Sequence, residues 1–500
     1  MFGIQYVMSS YLPCMTDQVM LLPEDMRRWL PEDDLVYFVG DTIGRLDLTS
    51  ILRKCGRTER RGRSAYHPEM MTKLIIYGLV TGVYSSRQIE DATRRRIDFR
   101  VISGNRHPDH DTICTFRKAH AAELAGLFGQ ILALCHRAGL IGGIVCIDGT
   151  KILANASLRA NRTEPQIEAE QARRHEAYLQ RGLAEIAKAD AVDAEEDAGF
   201  GKGVSGKKAP TAVRDRRSRD EFLTQALAEL RKGLPQPPPP PGPVSAAAPP
   251  AAGRAKSKRK TKSKAAAKEP RVNVTDPDSR IMLDGATKRL TQAYNAQAAV
   301  DSKSQIIVAC AAVQDANDKR QLVPMVAAAA GNLGAKPRQV AADAGYFSEE
   351  QVTSPSLEGI EVLVPPDREC MACEIRDSPD RPGDEPVRCG DFVMYVEPET
   401  PSDGMRAKLR TSAGRKAYAA RGSTVEPAFG QIKQAAGFRR FLTRGCASVE
   451  YEWRLVCLAS NIRKLFRAKC ADRDKQNRNL RAPARPITAA GAFQLAMEGA

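Results

Sequence analysis

Apolar positions recur at different spacings in different parts of the chain. Over residues 1 to about 135 the spacing is helical. Met70, Leu74, Ile75, Gly78 and Leu79 form one stripe, and Ile113, Phe116, Leu124 and Leu127 a second. His120 falls on that second stripe as a packed residue, and Asp111 and Thr112 offer side-chain oxygens to cap its first turn. At Gly142 the texture changes. GGIVCIDGT is a short, β-branched run bounded by glycines, which predicts a buried strand with Asp148 at its end. Beyond Thr275, QAYNAQAAVD and QIIVACAAVQD predict two paired strands, and residues 321–330 a helix. RQVAADAGY predicts a strand ending at Asp343, and GIEVLVPP another. A helix is expected over 424–435, with Glu426 at its opening. A last amphipathic helix is expected over 449–468, with Leu455, Leu458, Ala459, Ile462, Leu465 and Phe466 on its stripe.

Between the first strand and Thr275 the chain loses compact character. Residues 160 to about 235 are polar and helix-forming, and 234–241 read LPQPPPPP, a stiff polyproline segment. Residues 254–269 carry eight basic side chains against Glu269, too little apolar surface to fold alone. The organisation follows: a helical domain over 1–135, an α/β domain over 136–159 and 273–470, and an insertion over 160–272. The insertion is helical, then Pro- and Lys-rich and largely disordered, and a loose tail closes the chain over 471–500. So long an insertion is tolerable because loop-closure entropy grows slowly with length.

Composition narrows the partners. Lys and Arg number 76 against 60 Asp and Glu, and the net charge of +16 points to a polyanion. Twelve scattered cysteines suit reduced thiols rather than a disulfide scaffold. The most apolar long window, 128–147, is broken by Gln130, His136 and Arg137, which argues against a membrane span. The first residues lack a signal-peptide pattern, so a cytoplasmic, nucleoid-associated protein is expected.

Three acids carry the candidate chemistry. Asp148 and Asp343 each end an apolar strand, and Glu426 lies in 406–469, where fifteen basic residues face three acidic ones. Transfer of a phosphodiester needs charge stabilisation on the attacking and the leaving oxygen, which two carboxylate-held Mg²⁺ ions supply. Each acid also has a plainer account. A strand-end Asp is a common turn former, and a Glu at a helix start interacts well with the helix dipole. Glu426 and Lys433 stand seven apart on one helix face, a spacing common on solvated helices.

Jointly the motifs resemble a bacterial insertion-sequence DDE transposase. The resemblance covers most of 35–135 and 142–158, then 273–365 and 411–467. It runs through SAYHPEMMTKLIIYGLVTGVYSSRQIE and HPDHDTICTFRKAH in the helical half. In the remainder it runs through IDGTKILANAS, TDPDSRIM, YNAQAAVD, AADAGYFS and YAARGSTVEPAFGQIKQAAGFRRF. It implies an RNase-H-like mixed sheet flanked by helices and preceded by an all-α domain. It also implies a catalytic, metal-binding set of Asp148, Asp343 and Glu426, holding two Mg²⁺ or Mn²⁺ ions. Lys433, Arg421 and Tyr418 would grip the element end. Arg87, Arg94, Arg95 and Arg96 would contact the terminal repeat, and a homodimer would form on DNA. Related transposases carry Tyr-x2-Arg-x3-Glu-x6-Lys on the Glu helix, whereas Tyr418, Arg421, Glu426 and Lys433 give Tyr-x2-Arg-x4-Glu-x6-Lys. Two alternatives remain: a nuclease of the same fold without strand transfer, and a non-catalytic DNA-binding derivative.

Other clusters are weaker. Cys370, Cys373 and Cys389 offer three thiols without a fourth zinc ligand. His107, Asp109, His110 and Asp111 suit a capped turn, as does Asp276-Pro277-Asp278, and Asp315 and Asp318 suit caps on the helix after them. The sharpest expectation is geometric. The three acids should converge with raised carboxylate pKa values, Phe429 and Ile432 should be buried, and Lys433 should lie at the rim.

Overall fold

The computed structural model describes residue 25 and residues 28–56, 65–200, 270–285, 287–367 and 400–481, with short strands at Val387–Cys389 and Phe392–Met394. Helices come first: α1 (Leu35–Gly44), α2 (Thr49–Gly56), α3 (Pro68–Thr81), α4 (Ser86–Arg95), α5 (Ile97–Ile102), α6 (His110–Ala119) and α7 (Ala121–Arg137). Helix α3 starts where Pro68 needs no N–H partner, and stops at Gly82, whose φ of +80° suits a residue without Cβ. Helix α6 is capped by Asp109, which accepts from the Thr112 N–H at 2.6 Å. That corrects the expected cap at Asp111 and Thr112, both of which already lie in the helix.

The sheet is built from β1 (Val145–Leu153), β2 (Arg280–Leu283), β3 (Leu290–Asp301), β4 (Ile307–Val313), β5 (Gln339–Ala342) and β6 (Glu361–Leu363). Strand β3 runs antiparallel to β1 from Asp301 opposite Val145 to Ala293 opposite Leu153, and its outer edge is shared by β2 and β4. On its other side β1 is parallel to β5, and β5 to β6. The order β4–β3–β1–β5–β6 is an RNase-H-like mixed sheet. Helix α8 (Glu164–Phe200) leaves the sheet, and α9 (Leu322–Leu333) packs on β3 and β4. Helix α10 (Pro401–Arg410) leads into α11 (Ser412–Gly430), which crosses β1, β3 and β5. The last helix, α12 (Cys446–Arg481), joins β4 to α7 and α3. One apolar cluster runs through both halves, with Phe38 against Phe466 at 5.3 Å and Tyr84 against Phe438 at 5.2 Å.

Several boundaries differ from the sequence reading. Strand β1 passes straight through Asp148 and Gly149 to Leu153. Glu426 does not open its helix, because α11 begins at Ser412 under a Thr411 cap. Pro427 resembles a first-turn proline but lies inside the helix. The Ser423 carbonyl, which a residue-427 N–H would otherwise meet, accepts instead from Gln305 Nε2 at 3.1 Å. A π-turn over Gln431–Ala435 follows. Helix α12 continues to Arg481, so the tail expected from 471 begins within it.

At the insertion, Asn161–Arg162 pairs antiparallel with Val272–Asn273, and Ile167 packs on Val272 and Val274 in a small separate cluster. Residues 201–269, with the polyproline and lysine-rich stretches, lie outside the described residues. So do Cys370 and Cys373 of the thiol cluster.

Candidate active site

Strands β1 and β5 are parallel neighbours with Ile147 beside Ala342, so Asp148 and Asp343 occupy the next rung together. Asp148 accepts from the Gly149 N–H at 2.8 Å. Asp343 ends its strand as expected and caps the turn Ala344–Tyr346, accepting from the Gly345 N–H at 2.9 Å. Burial, reinforced by the Asp343 charge, pushes the Asp148 carboxyl up to about 6. Arg421 of α11 opposes this, with Nη1 3.3 Å from Asp148 Oδ2, while its guanidinium lies 5.8 Å from the Tyr418 ring centroid. Chain segments 273 residues apart thus meet in one ion pair.

On the other face of β1 lies a polar network. Asn295 Nδ2 and Gln297 Nε2 each donate to Asp318 Oδ1 at 2.6 Å, and the buried Tyr346 hydroxyl donates to Gln297 Oε1. Lys151 Nζ stands 4.0 Å from Asp318, with both side chains mostly buried. Burial lowers the Lys151 pKa, while Asp318, Asp148, Asp343 and Asp315 pull it back up. The network needs Gly149, because a Cβ there would come within 2.7 Å of Asp318 Oδ1 and 2.9 Å of Asn295 Oδ1. Asp318 therefore does not cap α9, whose N-cap is Gln321 without a side-chain bond. Sequence reasoning missed this role. The available signal was Asn295 and Gln297, two apart on one face of a strand buried along most of its length, where buried amides need polar partners.

Farther along β1, Lys433 Nζ donates to Thr150 Oγ1 and, at 2.9 Å, to the Lys151 carbonyl. Phe429 and Ile432 are buried as expected. Glu426 is exposed, its carboxylate near Gly422, and among the described residues it does not gather with Asp148 and Asp343 into one three-acid group, contrary to the expected convergence. The x3 position belongs to Val425, which is fully buried, and one further residue turns a helix by about 100°. Arg94, Arg95 and Arg96 each face an acid: Glu90 at 4.0 Å, Asp91 at 2.7 Å and Asp98 at 2.5 Å.

The Asp148–Asp343 pair fits a divalent cation. Both are hard oxygen donors, and burial together with the Asp343 charge disfavours the Asp148 anion in spite of Arg421, which a bound cation would relieve. Among the described residues no three His, Cys, Asp or Glu side chains gather around one point.

Residues 24–119 match a family described as a transposase domain, and residues 358–466 match the transposase DDE domain. Together the two matches support an insertion-sequence DDE transposase. No curated protein and no solved structure matches it. The transposase's DDE match spans Tyr418, Arg421, Glu426 and Lys433, and its N-terminal match spans Arg94 to Arg96. Asp148 and Asp343 lie outside both matches, so their pairing on adjacent strands is an independent observation. No described helix of the transposase is long and apolar enough to cross a membrane.

Proposed function

We propose that this transposase cleaves DNA at the ends of its insertion sequence and joins the freed strands to target DNA. The carrying observation is the pairing of Asp148 with Asp343 on parallel neighbours β1 and β5, beneath the cationic helix α11. Divalent ions, Mg²⁺ or Mn²⁺, would be held by these two carboxylates and by Glu426, and would stabilise charge on the attacking and leaving oxygens. Arg421 is the resident counter-charge of Asp148, free to turn to a DNA phosphate when a cation arrives. Tyr418 braces that guanidinium. Lys433, fixed on β1 two residues beyond the Thr150 side of Asp148, grips the element end. Glu426 completes the set by a rotation of α11. The helix is already interrupted there, by Pro427 before the π-turn at Gln431–Ala435, so few backbone bonds oppose the movement. Arg94 to Arg96 exchange their acidic partners for phosphates of the terminal repeat, and two copies assemble on the two ends.

The test is a strand-transfer assay with pre-cleaved ends and Mg²⁺. Joined product that disappears in Asp148→Asn, Asp343→Asn and Glu426→Gln supports the reading. Intact joining by Asp148→Asn would falsify the site, and cutting without joining would favour a nuclease.

A further inference from the structure

Beyond Lys433, β1 runs into a cleft of about 510 Å³ that the chemistry above does not use. One wall is the segment from Leu153 to Leu158, another is Leu290 to Gln292 of β3, and Arg440 and Arg444 form the third. Among the described residues, no acidic residue lines it. Both arginines are exposed, and so in part are Leu158 and Leu290, each at 42%.

The cationic wall is rigid. Leu153 N–H donates to the Arg439 carbonyl at 3.2 Å and Phe441 N–H to the Leu153 carbonyl at 2.9 Å, which ties the loop to β1. Glu452 accepts from the Leu442 and Thr443 N–H groups at 3.0 and 2.9 Å, fixing the turn from below. Phe438 and Phe441 are buried, leaving Arg440 and Arg444 to face outward. Arg444 Nε donates to the Asn155 carbonyl at 2.9 Å, which aims its guanidinium along the cleft. A preset Arg444 guanidinium and an exposed Arg440 beside it, over an acid-free cleft, fit phosphodiester oxygens.

We propose that this cleft holds the DNA backbone about five nucleotides from the phosphate attacked at Asp148 and Asp343. The span follows from β1, since Asp148 to Leu153 covers about 16 Å at ~3.3 Å per residue, and a DNA strand advances ~3.4 Å per nucleotide. The proposal rests on the transposase reading and names the path of its DNA.

The test measures binding by fluorescence anisotropy with the full-length protein. Its probe is a duplex of the terminal repeat flanking the gene, with single phosphates replaced by neutral methylphosphonates along ten positions on each side of the cut. In the wild type, neutral phosphates about five nucleotides to one side should weaken binding several-fold. In Arg440→Ala/Arg444→Ala, overall binding should fall about tenfold and the salt slope by about 2, with no further loss from those same phosphates. Arg440→Lys/Arg444→Lys should recover part of the affinity, and matching circular dichroism melts exclude misfolding. Unchanged affinity in the alanine variant, or a loss spread evenly over all positions, overturns the proposal. Strand transfer on the same duplexes separates the two readings. Joining without the footprint refutes the cleft alone, whereas the footprint without joining refutes the transferase chemistry and leaves the cleft standing.

Discussion

Asp148 is a buried acid whose ionisation works against the fold. Its pKa of about 6 lies above the ordinary aspartate value of about 3.9, so the folded state binds its proton more tightly than the unfolded state does. The resulting penalty is absent below about pH 4 and complete above about pH 6. Asp148→Asn should therefore raise the Tm measured with a chelator at about pH 8, and leave it nearly unchanged at about pH 4. A divalent cation should raise the wild-type Tm at the higher pH and leave the variant's nearly where it was. Beneath Asp148, Asp318→Ala strands the Lys151 ammonium among buried groups, and a loss of about 3 kcal/mol is expected in urea unfolding. Gly149→Ala should cost a comparable amount, because Asp318 Oδ1, which the new Cβ would strike, is already held by the Asn295 and Gln297 amides. The strand positions of Asp148 and Asp343 were legible from sequence, since each stood out after an apolar run, whereas the place of Glu426 within α11 was not. Asp318 was not legible. Its partners Asn295 and Gln297 lie on β3, away from the loop that carries it, and local turn chemistry explained it well enough without them.

At the scale of elements, the sequence yielded the main strands but misplaced several boundaries, two of them beside punctuating residues. Gly149 looks like a strand terminator, yet β1 continues because the glycine makes room for Asp318. Pro427 looks like the first turn of a helix, yet α11 tolerates it because Gln305, from the hairpin between β3 and β4, satisfies the Ser423 carbonyl. Neither exception is visible without the tertiary partner. The second has a measurable consequence. Gln305→Ala should destabilise by about 1 kcal/mol in the wild type. In a Pro427→Ala background the restored N–H serves the carbonyl, and the same substitution should cost much less. A double-mutant cycle on chemical denaturation reads the difference. Lys464 on α12 offers a second check on the same hairpin, because its Nζ donates to the Gln305 carbonyl while burial pushes its pKa down to about 7. The folded state thus disfavours the charged lysine, so stability attributable to this residue should rise between about pH 7 and pH 10 and be lowest on the acid side. Lys464→Met should flatten that portion of the Tm profile.

Across the whole molecule, the insertion and the helical half are attached in opposite ways. Among the described residues, the insertion is anchored through two paired residues on each strand and the small cluster around Ile167. Replacing residues 164–270 with a short glycine-rich turn should therefore lower the Tm by only about 2–4 °C, the loss of roughly one buried isoleucine. The helical half instead shares its core with the sheet through Phe38, Phe466, Tyr84 and Phe438, and Arg463 donates to the Val80 carbonyl. No sequence pattern announced that union, because the contacts pair helices separated by most of the chain. It makes the two halves a fixed ruler. If the helical half holds the terminal repeat, the distance from repeat to cut is set by side-chain packing and not by a hinge. Each base pair added between them would displace the scissile phosphate by ~3.4 Å and rotate it by roughly a tenth of a turn. A transposase built this way measures its own DNA.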